Sequence, residues 1–221
     1  MPELSLPAQY IHFFASLVLL LSFAMLAQRR VRALVYLFAL QGSALACSTT
    51  LAAWSGNQPH LYYSAALTLA LKVIVLPLIL LRLVDRLGLR RDTEDGHNIP
   101  STLLIGLALV VFAFGLAQPV SRLAGEFTQS TLGIALAVVM LAFLMMITRR
   151  KALTQAIGLL AMENGLFFAA TSATWGMPMV VELGIALDVL VGVLIFGIFF
   201  FQVRERFDSL DLRHLEQLRE E

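Results

Sequence analysis

Cysteine is nearly absent from this sequence, and histidine is rare. The single thiol, Cys47, sits in an apolar run, which excludes an intrachain disulfide, a cysteine-held iron-sulfur cluster and a CxxCH haem attachment. His12 and His60 fall near the ends of apolar stretches and His97 and His214 in polar ones, so no histidine pair is set deep in an apolar helix to clasp a haem. There is no phosphate loop, and no Ser/His/Asp set with a discernible placement. Catalysis in this chain alone therefore has no candidate residues. Charge is scarce and balanced: 16 Lys and Arg against 15 Asp and Glu leave a net charge of +1, so nothing asks for nucleic acid or an acidic polymer as partner.

Long apolar runs are what the chain has instead. Hydrophobic residues make up 59% of its 221 positions, well above the roughly 45–50% of soluble domains. An all-α integral membrane protein follows. A membrane-crossing helix needs about 20 mostly apolar residues, and seven stretches qualify: 9–27, 33–54, 60–81, 101–118, 130–148, 152–174 and 178–202. The first is not expected to be a cleaved signal peptide, because no basic residue precedes it while Arg29, Arg30 and Arg32 follow it. Seven crossings from an external N-terminus place fourteen of the sixteen Lys and Arg residues on one side, with Arg122 opposite and Lys72 inside a span. That bias predicts an external N-terminus and a cytoplasmic C-terminus.

The expected organisation is a three-helix membrane unit over 1–82, a cytoplasmic linker over 83–100, a fourth span with its outer loop over 101–129, a second three-helix unit over 130–203, and a cytoplasmic tail over 204–221. Between the third and fourth spans, Arg82, Arg86, Arg90 and Arg91 are mixed with Asp85, Asp92, Glu94 and Asp95, and this reads as a solvated connection. A metal site made from Asp92, Glu94, Asp95 and His97 is the rival account of its acidic part. Two short echoes link the halves: Ala70 to Val73 (ALKV) with Ala186 to Val189 (ALDV), and Arg29-Arg30 with Arg149-Arg150. Either an internal repeat or chance identity in Ala/Leu-rich sequence produces them. In the tail, Phe207, Leu210, Leu215 and Leu218 form one apolar stripe, and four basic and six acidic residues follow from Arg204 onward. An amphipathic helix that docks on a protein rather than on anionic lipid is expected.

Four ionisable residues remain inside the spans: Lys72, Glu163, Glu182 and Asp188. A charge at the bilayer centre costs about 2.5–3.5 kcal/mol on insertion scales, so such groups face protein or water and by default carry function. Lys72, Glu163 and Asp188 lie ~15, ~16 and ~21 Å from the cytoplasmic ends of their helices, all near the midplane, with Glu182 about 9 Å further out. A lysine and acids at one depth suit a lateral proton relay, because burial disfavours each charge and a partner restores it. A static ion pair between helices is the bland alternative. Beside Lys72, Pro77 leaves the Val73 carbonyl without its helical donor, which permits a kink. Asn164 adds a polar neighbour to Glu163, and Gly184 and Gly192 flank Asp188 at four-residue intervals, where a helix can approach closely.

LKVIVLPLI around Lys72, AMENG around Glu163, VVELGIALD from Val180 to Asp188, and SLDL with the leucines after it occur in an order and spacing that resemble the hydrogenase-4 component E family, over nearly the whole chain. These proteins are membrane subunits of group 4 [NiFe] hydrogenase and formate hydrogenlyase complexes. The last three spans also resemble the K-type subunit of respiratory complex I and its counterpart in multisubunit cation/proton antiporters. Asp188 falls where that subunit has one intramembrane glutamate, whereas its other glutamate matches Leu160 here, three residues before Glu163. The resemblance implies a role beside antiporter-like and hydrogenase subunits in a bacterial or archaeal cell membrane. It also implies that the [NiFe] centre and iron-sulfur clusters belong to other subunits, and that proton movement is the function Lys72, Glu163, Asp188 and Glu182 would serve. A cation/proton antiporter subunit and a structural scaffold are the alternatives.

Overall fold

Backbone polar groups cannot reach water inside a bilayer, so each apolar run must satisfy its own hydrogen bonds as a helix. The computed structural model describes residues 6–56, 59–86, 98–121 and 126–174, together with Gly184, Gly192 and Gly197, and apart from short connections these are helical. In chain order they form α1 (Leu6–Ala27), α2 (Val31–Gly56), α3 (His60–Thr68), a π-helical stretch (Leu69–Val75), α4 (Leu76–Arg86), α5 (Ile99–Ser121), α6 (Glu126–Thr148) and α7 (Ala152–Thr174). α3, the π-helical stretch and α4 make one continuous third span. Six spans among the described residues are thus long and apolar enough to cross a membrane. The expected seventh span and the tail lie outside the described residues, save for the three helical glycines.

Helix ends differ from the sequence reading by a few residues, most at the end of the third span. The third span continues through Arg86 instead of ending at 81, because Leu83 and Val84 still bury themselves while Asp85 turns to bind Arg32 at the start of α2 (2.6 Å). Both side chains of this pair are partly exposed, so it contributes little stability, about 0–1 kcal/mol.

Short connections make α1 and α2, and α6 and α7, antiparallel neighbours. α6 packs against α7, α5 and α1, while α2 packs against α1, α7 and the third span. Lipid tails offer no hydrophobic drive for helix association, so close approach must come from small residues. On α7, a Cβ at Gly158 would lie 2.8 Å from Met146 Cγ, and one at Gly165 would lie 3.1 Å from the backbone nitrogen of Val139. These two glycines let α7 sit directly on α6.

The bundle has two unlike ends. Exposed Arg29, Arg30, Arg82 and Arg150 mark one; exposed Tyr10, Trp54, Tyr62 and Tyr63 mark the other. Basic loops and an aromatic belt are what the two surfaces of a membrane select. Inside the arginine-bearing half, Phe38, Leu80, Leu141, Met145, Ile157 and Leu160 belong to a large apolar cluster. A smaller cluster, with Val18, Leu45, Val138 and Phe168, fills the other half between α1, α2, α6 and α7.

Candidate functional site

Pro77 shapes the segment that carries Lys72. Proline cannot donate to the carbonyl four residues earlier, and its ring crowds that carbonyl. The helix responds by widening: Leu69–Val75 is π-helical, and the Leu76 N–H donates to the Leu71 carbonyl, five residues back. Lys72 lies within this widened turn, near the middle of the Leu61–Asp85 span, and is buried.

Its ammonium donates to Glu163 Oε1 at 2.8 Å, joining the third span to α7 across 91 residues of sequence. The two side chains are only 3% and 4% exposed, so neither charge is screened by solvent. Glu163 is likewise central in its span, Ala152–Thr171. One turn further along α7, Phe167 places its ring centroid 5.6 Å from Lys72 Nζ, adding a cation–π contact. Room for the lysine stem comes from Gly42 of α2, whose added Cβ would lie 3.2 Å from Lys72 Cβ. At Gly184 an added Cβ would make ordinary van der Waals contacts, 3.6 Å from Phe167 Cδ2 and 3.7 Å from Glu163 Oε1, so this helical residue lies beside the carboxylate. At Gly192 it would meet no atom within 4 Å among the described residues.

Next to the ion pair runs a chain of neutral polar groups. Asn164 Nδ2 donates to Gln41 Oε1 (3.1 Å), Gln41 Nε2 donates to Ser22 Oγ (2.9 Å), and Ser22 Oγ donates to the Val18 carbonyl (2.9 Å). The chain ties α7 to α2 and α1. Gln41 and Asn164 are wholly buried, and the Asn164 Oδ1 atom has no hydrogen-bond partner among the described residues. At the arginine-bearing end, buried Arg149 donates through Nη2 to the carbonyls of Met25, Leu26 and Gln28. It thereby caps the C-terminus of α1, where orphan carbonyls and the negative end of the helix dipole both favour a cation.

Of the residues singled out from sequence, Lys72, Glu163, Asn164, Pro77 and Gly184 come together in or beside this centre. Asp188, Glu182, the acids Asp92, Glu94 and Asp95, and His97 lie outside the described residues. Ser22, Gln41, Phe167 and the capping role of Arg149 were not anticipated. The available signal for Gln41 was its being the sole amide in α2, directly before Gly42. Among the described residues, no three His, Cys, Asp or Glu side chains gather to hold a metal ion.

Chemically, a lysine and a carboxylate in direct contact exchange between an ion pair and a neutral pair by moving one proton, with no net charge entering the apolar layer.

A Mycobacterium tuberculosis protein, the uncharacterized protein Rv0085, is 36% identical over 211 residues, which cover 95% of this chain and 96% of that protein. The chain belongs to the family of Rv0085. Hydrogenase-4 component E of Escherichia coli K12 is more distantly similar to this member, at 25% identity over 214 residues covering 93% of this chain and 95% of that protein. Hydrogenase-4 component E of Shigella flexneri is similar to the same degree. No model of a protein family matches the chain, and no solved structure matches it.

Proposed function

We propose that the chain is a non-catalytic membrane-arm subunit of an oxidoreductase complex of the [NiFe]-hydrogenase or formate hydrogenlyase type, and that its buried ionisable residues take part in proton translocation. Full-length similarity to Hydrogenase-4 component E supports the first part. The observation that carries the second is the Lys72–Glu163 contact at mid-span, since ionisable groups at that depth are expensive and are retained where they handle charge. Asp188 and Glu182 extend the same relay in this reading. The hydrogenase metal centres reside in partner subunits, and antiporter-like subunits flank this chain in a bacterial or archaeal inner membrane. The arginine-bearing end faces the cytoplasm and the N-terminus lies outside, as the basic bias favours.

The test is purification of the intact assembly from its own membranes, followed by metal analysis and proton-transport measurement in vesicles. Nickel and iron in fixed ratio to this subunit are expected. Their absence from an otherwise intact assembly points to a cation/proton antiporter instead. Glu163→Gln and Asp188→Asn are expected to slow proton movement with assembly retained. Wild-type rates in both would leave a scaffold role.

A further inference from the structure

One buried stripe runs along the third span at every fourth residue: Ser64, Thr68, Lys72, Leu76, Leu80 and Val84. Its chemistry changes at the lysine. Toward the aromatic end it carries hydroxyls, and toward the arginine-bearing end only hydrocarbon. α2, the main packing partner of this span, repeats the change, with buried Ser48 on the hydroxyl side and Leu34, Val35 and Phe38 on the other; Thr49 is buried on the hydroxyl side too, but its O–H is held on the Leu45 carbonyl (2.9 Å). From this asymmetry, and resting on the proton-translocation reading above, we propose that the Lys72–Glu163 pair exchanges protons through this chain with the aromatic end alone, by a hydroxyl-lined half-path between α2 and α3.

The geometry covers the required distance. Thr68 and Ser64 stand ~6 and ~12 Å from Lys72 along the helix, and Ser64 is one turn from the start of α3. Ser64 Oγ is buried and has no hydrogen-bond partner among the described residues. A buried hydroxyl costs free energy unless something satisfies it, and a water is the small polar partner that can. Hydroxyls and water both donate and accept at one oxygen, so a file of them passes a proton by reorientation.

The Asn164–Gln41–Ser22 chain leads the other way but does not substitute. Its amides donate from nitrogen and accept at a separate oxygen, and its last O–H is fixed on the Val18 carbonyl. It orients α7 and carries nothing. Beyond it, Met25, Leu80, Ile157 and Leu160 close the arginine-bearing half with hydrocarbon.

The single native thiol allows a direct test in the assembled complex. In a Cys47→Ala background, cysteines are placed one at a time at 64, 68, 80 and 157, and silver ion is applied to right-side-out or inverted membrane vesicles. Modification is then read on this subunit as protection from a later thiol label. Silver is expected to protect positions 64 and 68 from the aromatic face only, and positions 80 and 157 from neither. No protection at 64 and 68 from either face, or protection at 80 or 157 from the arginine-bearing face, overturns the half-path. A second readout is proton movement. Thr68→Val should slow it roughly tenfold, with Thr68→Ser restoring it; equal rates in both variants also overturn the proposal. Normal proton movement in both Glu163→Gln and Asp188→Asn, with the silver pattern as expected, would instead sink the proton-translocation reading while leaving a one-sided water path in place.

Discussion

Gly42 of α2 lies so close to Lys72 that a methyl group in its place would stand 3.2 Å from the lysine's own Cβ and 3.5 Å from its carbonyl oxygen. The lysine reaches Glu163 because α2 gives it a bare backbone to pass. Gly42→Ala requires a shift of a few tenths of an ångström, whereas Gly42→Val adds two methyls with nowhere to go. Valine is expected to push the ammonium off Glu163 and abolish proton movement, with alanine retaining a measurable part of it. Vesicle transport assays on both variants, each checked for normal assembly, decide the matter.

Removing one member of the buried pair should harm the protein more than removing both. Lys72→Met strands an acid among apolar groups, and Glu163→Leu strands a cation; each is expected to cost about 3–5 kcal/mol. The double variant replaces two charges with hydrocarbon of similar volume and should recover much of that loss. Unfolding of the four proteins in mixed micelles gives the coupling energy directly. Additive losses would show that the pair is not energetically coupled.

The spans were readable because apolar length alone specifies them, and Lys72 and Glu163 stood out because a charge in an apolar run has so few tolerable explanations. Neutral polar residues carry no such penalty. Ser22 gave no signal and Gln41 only a faint one for that reason, although they anchor Asn164. Pro77 signalled a disturbed helix, but a kink and a widened turn satisfy the same missing donor, and only the surrounding packing selects the π-helical form. Arg149 was counted as one more basic loop residue. That it turns back to hold three carbonyls of α1 depends on how α6 meets α1, a contact that no local pattern encodes.

Gln41→Leu should unlink α7 from α1 and α2 and leave the Asn164 amide buried without its acceptor. An unsatisfied buried group costs about 1–3 kcal/mol, and Gln41→Glu, which keeps an acceptor, should lose less if the acid is protonated. The more informative readout is positional. If Asn164 holds the register of α7, the leucine variant will lower proton-transport rates at temperatures where the protein remains fully folded by circular dichroism.

Arg149→Ala is expected to fray the end of α1, with a stability loss of about 1.5–3 kcal/mol, the usual worth of hydrogen bonds to a charged group. Exposed Arg150 offers the control, since it carries the same charge one residue on. Arg150→Ala should leave stability nearly unchanged. Amide hydrogen exchange at 22–28 will show the local effect; equal exchange in the two variants would remove the capping role from Arg149.

Glycine substitutions on α7 and α5 should act in opposite directions. At Gly165 an added methyl would stand 2.9 Å from Val139 Cγ2 and 3.1 Å from the Val139 backbone nitrogen, so relief requires α6 and α7 to separate. Gly165→Ala should therefore cost about 1–3 kcal/mol, the range for overpacking a tight site. At Gly115 of α5 no atom among the described residues lies within 4 Å of the same methyl, and the only effect left is that alanine favours a helix over glycine by up to about 1 kcal/mol. Gly115→Ala should be neutral or slightly stabilising. Melting of the two variants side by side tests whether α6 and α7 are held by backbone proximity; a Gly165→Ala protein as stable as its Gly115→Ala counterpart would mean that the interface yields where the geometry says it cannot.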